Sequence, residues 1–271
     1  MPIYLLIPLV LGVIVSNLVF ATDSSVVRLA TTTTTKSSGL LDVIVPAFER
    51  ASGYRLKLTI VGTGRALRLG RLGKVDVVLV DDPRAEKEFV KNGWGVRRQQ
   101  VMKNDFVLVG PANDPAGIKG MQSAGEALRK IAQSYSTFVS RGDDSGTNKK
   151  ELRCWAKVGI EPASDWYYET GGTMGVTLKI TSEKQGYTLV DRGTWLAFRS
   201  NLSLELLVEG DSDFDNFYGV IEINPERHPD VNFKGATVFS NWLMSPEGQR
   251  LIQELKVDGE QLYFPVTVLH N

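Results

Sequence analysis

Residues 138–150 read FVSRGDDSGTNKK. Thr137, Phe138 and Val139 end an apolar strand, and Leu152, Trp155, Ala156 and Val158 recur at the three-or-four spacing of a helix with one buried stripe. Gly159 and Pro162 close that helix. The polar cluster between them, Arg141 to Thr147, therefore falls at a helix N-terminus. There the first backbone N–H groups have no intrahelical partner and the helix dipole favours negative charge. Such a junction attracts anions.

The same order, strand then small hydroxyl or glycine residues then helix, recurs at LATTTTTKSSGLL (29–41) and TIVGTGRAL (59–67), and more loosely at YETGGTMGVTLKI (168–180). Further strands are expected at 26–30, 56–61, 75–80, 106–109, 166–169, 187–189, 204–208 and 220–223. VDVVLV (75–80) has the nearly continuous apolar character of a strand covered on both faces. Leu41, Ile44, Val45 and Phe48 mark a helix that Pro46 should kink unless it lies in the first turn. Asp82-Pro83 reads as an N-cap with Pro in the first helical position, Ser123 and Glu126 have capping-box spacing, and Ser245-Pro246-Glu247 opens a last helix. The alternation specifies an α/β architecture with mainly parallel sheets. Two sheets of about five strands suit it better than one of ten, which makes two lobes with a cleft. Strand carboxyl ends face the ligand crevice in such sheets, so each junction presents hydroxyls and N–H groups to one cleft.

The chain has 271 residues with 31 basic against 31 acidic side chains. That length builds a substantial core. The balanced charge argues against nucleic acid as the main partner. Cys154 is the only cysteine, so no disulfide forms within the chain, and beside Trp155 it reads as a small buried hydrophobe. Residues 1–21 hold an uncharged apolar run ending Val19-Phe20-Ala21, which fits a signal peptide cleaved after about Ala21 and export to the periplasm. An uncleaved membrane anchor is the alternative.

Catalytic readings are poorer. GDDSG (142–146) resembles the nucleophile segment of a trypsin-like protease, but that chemistry needs a histidine base and only His228 and His270 exist. GTGRALRLGRLGK (62–74) fits neither a P-loop nor the dinucleotide spacing. Asp81-Asp82 and Asp143-Asp144 lack a full oxygen shell for a cation, and capping is their commoner use. No cofactor, no metal site and no catalytic residue is expected.

ATTTTTKSSGLLD, VGTGRAL, VDVVLV, KNDFVLVGPANDPAGIKG, SRGDDSGTNKKEL, GGTMGVTL, YTLVDRGTW, YGVIEINPERHP and SPEGQ with KVDGEQLYFP follow one another across residues 29–265. In this order they resemble the periplasmic tungstate-binding proteins of Tup-type ABC importers, which are type II substrate-binding proteins. Two positions depart from the family's pattern: Thr34 stands where Ser is usual, and Asp81 where His usually follows the buried strand. The first keeps the hydroxyl; the second sets a carboxylate near the cleft.

The resemblance implies oxyanion contacts from Thr32, Thr33 and Thr34, from Thr63, and from Arg141, Ser145, Gly146 and Thr147. Arg141 followed by Ser145-Gly146-Thr147 is similar to the anion-holding segment of phosphate-binding relatives. Asp143 is expected to orient Arg141, or else to serve with Asp144 as a solvated cap. Residues 173–177 are a further candidate for the far side of the site. The resemblance also implies hinge closure around the anion and delivery to a membrane ABC permease. Lobe one would comprise 22–108 plus 218–271 and lobe two 109–217, with hinge strands near 106–110 and 218–223 and a monomeric state. A donor-only site binds a bare dianion with little dependence on pH near neutrality. Three alternatives stand beside this reading: a phosphate-binding transport protein with Asp81 or Asp143 accepting the phosphate proton, a serine hydrolase using Ser145, and a cytosolic ligand-sensing domain.

Overall fold

The computed structural model describes residues 25–163 and 165–266. The apolar segment 1–21 and His270 lie outside them. In chain order, β1 (Val26–Thr31) leads through the short α1 (Thr33–Ser37) into α2 (Leu40–Ser52), followed by β2 (Arg55–Ile60), α3 (Thr63–Arg71), β3 (Val77–Val80) and α4 (Pro83–Lys91). The long β4 (Gly95–Gly110) precedes α5 (Ala124–Gln133), β5 (Phe138–Ser140), α6 (Gly146–Lys157), β6 (Tyr167–Glu169), α7 (Met174–Lys184), β7 (Thr188–Asp191), α8 (Arg192–Phe198) and β8 (Glu205–Val208). The return strand β9 (Asp215–Ile223) is followed by α9 (Phe233–Leu243) and α10 (Pro246–Glu254).

Two sheets share β4. In one the order is β2–β1–β3–β9–β4, with Phe264–Pro265 added beyond β4. In the other, β7 and β8 pair with the distal half of β4, and β5, paired with β6, bridges through Phe138 to Tyr187 beside β7. Pairing is parallel along β2–β1–β3 and between β5 and β6, but antiparallel wherever β4 or β9 takes part. The sheets are thus mixed rather than mainly parallel. β4 carries the chain from one sheet to the other and β9 brings it back alongside, so the two must run in opposite directions.

Alternation along β3 explains its continuous apolar sequence. Val77 and Leu79 enter the core under α2, α9 and α10, while Val78 and Val80 enter a second core with α3 and α4. Along β4, Phe106 and Leu108 join the core of α5, α6, β7 and β8, whereas Val107 and Val109 join the first core. The strand expected only at 106–109 begins at Gly95. Its first half is polar and half-exposed, with a bulge after Val96 where Arg97 has positive φ, so period-two patterning is blurred there. Pro46 lies well inside α2 on its exposed side, and the helix runs on to Ser52. The stripe read for α6 is also displaced. Leu152 is 43% exposed and Ala156 is exposed; Cys154 and Trp155 face the core with Thr147, Asn148 and Glu151. Glu151 takes this apolar position because Ser140 Oγ, Tyr167 Oη and Trp155 Nε1 all donate to it, at 2.5, 2.8 and 3.1 Å.

Candidate functional site

Thr31 pairs in register with Ile60 on one side and Leu79 on the other, so β1, β2 and β3 end level with one another. Their following loops leave the sheet side by side, carrying the threonine tract, Thr63 and Asp81. Hydroxyls within the tract divide into two sets. Thr31 Oγ1 donates to the Leu79 carbonyl at 2.9 Å, and Thr35 Oγ1 to the Thr32 carbonyl at 2.7 Å, so these two hold the turn together. Thr32, the N-cap of α1, is 3% exposed, and among the described residues its Oγ1 has no partner. Thr34 is buried beside it and Thr33 is exposed.

Across from this edge lies the loop after β5. Gly142 has a φ of 58°, and a Cβ there would stand 2.7 Å from Glu169 Cβ, so the turn requires glycine. Ser145 caps α6 by accepting from the Asn148 N–H at 3.2 Å. Ser140 Oγ accepts from the Gly142 N–H and from Asn148 Nδ2, and donates to Glu151. This lattice fixes the loop that carries Arg141. Arg141 Nη2 pairs with Asp143 Oδ2 at 2.5 Å, and Asp143 Oδ1 also accepts from the Ser145 N–H at 3.2 Å. Arg141 is 9% exposed and its buried Nε has no partner among the described residues. Ser145 and Thr147 are buried at the start of α6.

The two sides meet at Asp81. Its Oδ1 accepts from the Thr63 hydroxyl and lies 3.0 Å from where a Cβ on Gly146 would be. Gly64 approaches Lys149 of α6 in the same way, at 3.5 Å from Nζ. Of the eight residues expected from the sequence, Thr63 bonds to Asp81 and Gly146 lies against it, Thr32 and Thr34 share the strand-end edge with Thr33 exposed beside them, and Arg141, Ser145 and Thr147 share the facing loop. In the fourth segment, the Thr177 hydroxyl is turned to Thr170 Oγ1 and the Thr173 carbonyl, at 2.9 and 3.1 Å.

Asp191 joins the site without being among the residues expected from the sequence. It ends β7, caps α8 through the Thr194 N–H at 2.9 Å, and leaves a buried Oδ2 without a partner among the described residues. The signal was present: a carboxylate closing an apolar strand, as Asp81 does after VVLV. Burial, foremost, raises the pKa of both groups; the Asp82 charge adds to the shift at Asp81, and the Asp81 charge to that at Asp191. The Thr63 hydrogen bond opposes the shift at Asp81; the Thr194 contacts and Arg141 oppose it at Asp191. A cavity of about 540 Å³ flanks the site and shares Asp81 with it; Lys150, Arg153 and Asn216 also line it.

Among the described residues the only histidine, His228, is not placed as a base for Ser145. His228 stacks on Trp94 and its Nε2 contacts the Arg71 carbonyl at 3.0 Å, while the Ser145 hydroxyl serves as a helix cap.

Two sheets linked by the shared strand β4, with strand-end hydroxyls of one set against a helix N-terminus of the other, define a two-lobed substrate-binding protein. A family model described as a PBP superfamily domain matches residues 21–247. The tungstate-binding protein TupA of Peptoclostridium acidaminophilum is 48% identical over 241 residues, 88% of this chain and 84% of its own. A putative ABC transporter anion-binding protein of Haloferax volcanii is 49% identical over 90% of this chain and 72% of its own. The solved tungstate-binding protein of Desulfovibrio alaskensis superposes with a TM-score of 0.79 at 45% identity, covering 89% of this chain and 98% of that one. The chain belongs to the PBP superfamily and, within it, to the Tup-type substrate-binding proteins of ABC importers, which are not enzymes.

Proposed function

We propose that the protein is an exported, monomeric carrier that captures tungstate or molybdate and passes it to a membrane ABC permease. One observation carries this reading: Thr32 Oγ1 and Arg141 Nε are buried donors without partners among the described residues, at the facing edges of the two sheets. Unpaired buried polar groups are costly, and an anion oxygen would satisfy both. The names of the relatives support the choice of anion. Thr32, Thr33, Thr34 and Thr63 would contact it from one lobe, and Arg141, Ser145, Gly146 and Thr147 from the other. Charge-assisted hydrogen bonds contribute about 1.5–3 kcal/mol each. Six or seven of them sum to about 9–21 kcal/mol, a range that spans the about 12 kcal/mol of nanomolar binding.

The lobes would be 22–108 plus 218–271, and 109–217, hinged at 106–110 and 218–223. Passage of β4 through both cores supports this division. Closure around the anion would create the form that the permease recognises, since only differential contact couples binding to delivery. Titration calorimetry with tungstate, molybdate, sulfate and phosphate tests the proposal. Tight binding of the two oxometalates with weak sulfate and phosphate is expected. Phosphate binding tightest would overturn it.

A further inference from the structure

Thr63 has a single hydroxyl proton. In the structure that proton is spent on Asp81 Oδ1. While Asp81 is a carboxylate, Thr63 shows an approaching dianion only lone pairs, beside a negative charge that is 8% exposed. If Asp81 carries a proton, its own O–H can donate to Thr63 Oγ1, and Thr63 is released to donate outward. We infer that Asp81 is a positioning residue for Thr63: the anion complex holds one proton on Asp81, which turns the Thr63 hydroxyl toward the ligand. The inference rests on the oxyanion reading and replaces a pH-independent donor cage with a proton-linked one.

The surroundings favour that proton. On its own loop Asp82 lies alongside, already paired with Arg153 of α6 at 3.4 Å. From α4, Glu86 faces it and is held by Arg98 of β4 at 2.7 Å. From the end of β7 comes Asp191, with Arg141 near it but paired to Asp143. Asn216 and Tyr218 face it from β9, and Tyr263 from the C-terminal segment, both phenols held neutral by burial. Lys150 of α6 shares the flanking cavity with Asp81 and donates to the Asp215 carbonyl at 3.0 Å. Arg84 of α4 and Lys157 of α6 line the same cavity, Lys157 paired with Asp213 at 2.5 Å, but among the described residues no cation forms an ion pair with Asp81, and the charge that weighs on its pKa is that of Asp82. Burial pushes its pKa upward, and a bound dianion pushes further in the same direction.

The test is tungstate calorimetry on the full chain across roughly pH 6.5 to 9.5, where tungstate stays a bare dianion, in two buffers of different protonation enthalpy. Wild-type affinity should fall with rising pH, approaching about tenfold per unit, with uptake of about one proton where Asp81 is ionised. Asp81→Asn keeps a neutral side chain whose amide can donate to Thr63, so it should bind with no pH dependence and exceed wild type at the alkaline end. Thr63→Val should remove the pH dependence and bind more weakly than wild type at the acid end. A flat wild-type profile without proton uptake would overturn the inference, as would a pH dependence that survives in Asp81→Asn. No tungstate binding at any pH would instead refute the function on which it rests. Should Asp81→Asn fail to fold, the wild-type profile and proton count decide alone.

Discussion

Replacing Arg141 with alanine removes the only guanidinium among the proposed contacts, and its effect can be sized from the structure. At 4 Å and an effective dielectric of about 20, each unit charge pair is worth about 4 kcal/mol, so the bare attraction to a dianion would be about twice that. Much of it is already offset, because Asp143 sits 2.5 Å from Nη2. What remains is the hydrogen bonding open to the buried Nε and its neighbours, about 2–3 kcal/mol for charge-assisted bonds. Arg141→Ala should therefore weaken tungstate by about 30- to 150-fold, read by calorimetry. The fold should survive, since the Asp143 side chain is 21% exposed and can be hydrated once its partner is gone. Arg141→Lys restores the charge but not a planar fork that can hold Asp143 and the anion together, so it should recover only part of the loss. Affinity within about twofold of wild type in Arg141→Ala would refute the reasoning and remove this residue from the site.

Gly146→Ala places a methyl group 3.0 Å from Asp81 Oδ1, inside the contact that joins the two sides. Because alanine suits the first turn of α6, the thermal midpoint should hold or rise while anion affinity falls several-fold. Asp76 is wholly buried before β3 and accepts from Arg28 Nη2 at 2.5 Å, from the Arg28 N–H and from the Asn232 N–H. Asp76→Asn should cost about 3–5 kcal/mol in urea unfolding. It should leave the anion affinity of the folded protein unchanged, because Asp76 precedes β3 whereas the site lies beyond its other end. Burial foremost raises the Glu151 carboxyl to about 6, against hydrogen bonds from Ser140, Tyr167 and Trp155. The native state then binds a proton that the unfolded chain releases, so this group's stabilising contribution is present below about pH 4.5 and lost as pH rises through about 6. Unfolding of wild type and Glu151→Gln, compared across that range, should show a double difference on the order of 2 kcal/mol.

Local patterns were legible where one residue type has one dominant use. Asp82-Pro83 begins α4, and the Asp82 carboxylate accepts from the Arg84 and Ala85 N–H groups, because an N-cap needs only its own loop. VVLV is buried on both faces, because a strand covered twice has no polar side. Misreadings fell where tertiary packing chose between locally equal options. The buried face of α6 holds Glu151 rather than Leu152, and only the convergence of Ser140, Trp155 and Tyr167 makes that arrangement tolerable. The first half of β4 is polar because it lies half-exposed in the first sheet and carries a bulge, which no local period announces.

Composition and order along the chain, taken alone, determined an α/β protein whose strand ends carry hydroxyls and whose helix at 146 opens on an anion-friendly turn. Those are properties of a few neighbouring residues, governed by backbone dihedrals and caps. Only the tertiary structure decided that Thr32, Thr63 and Asp81 stand on one edge, that α6 begins against Asp81, and that Asp191 joins them. Such meetings depend on sheet register and on β4 passing between the two sheets, with β9 returning beside it. Contacts across that many residues leave no periodic trace, because the side chains that meet are chosen by the path of the backbone rather than by their neighbours in sequence.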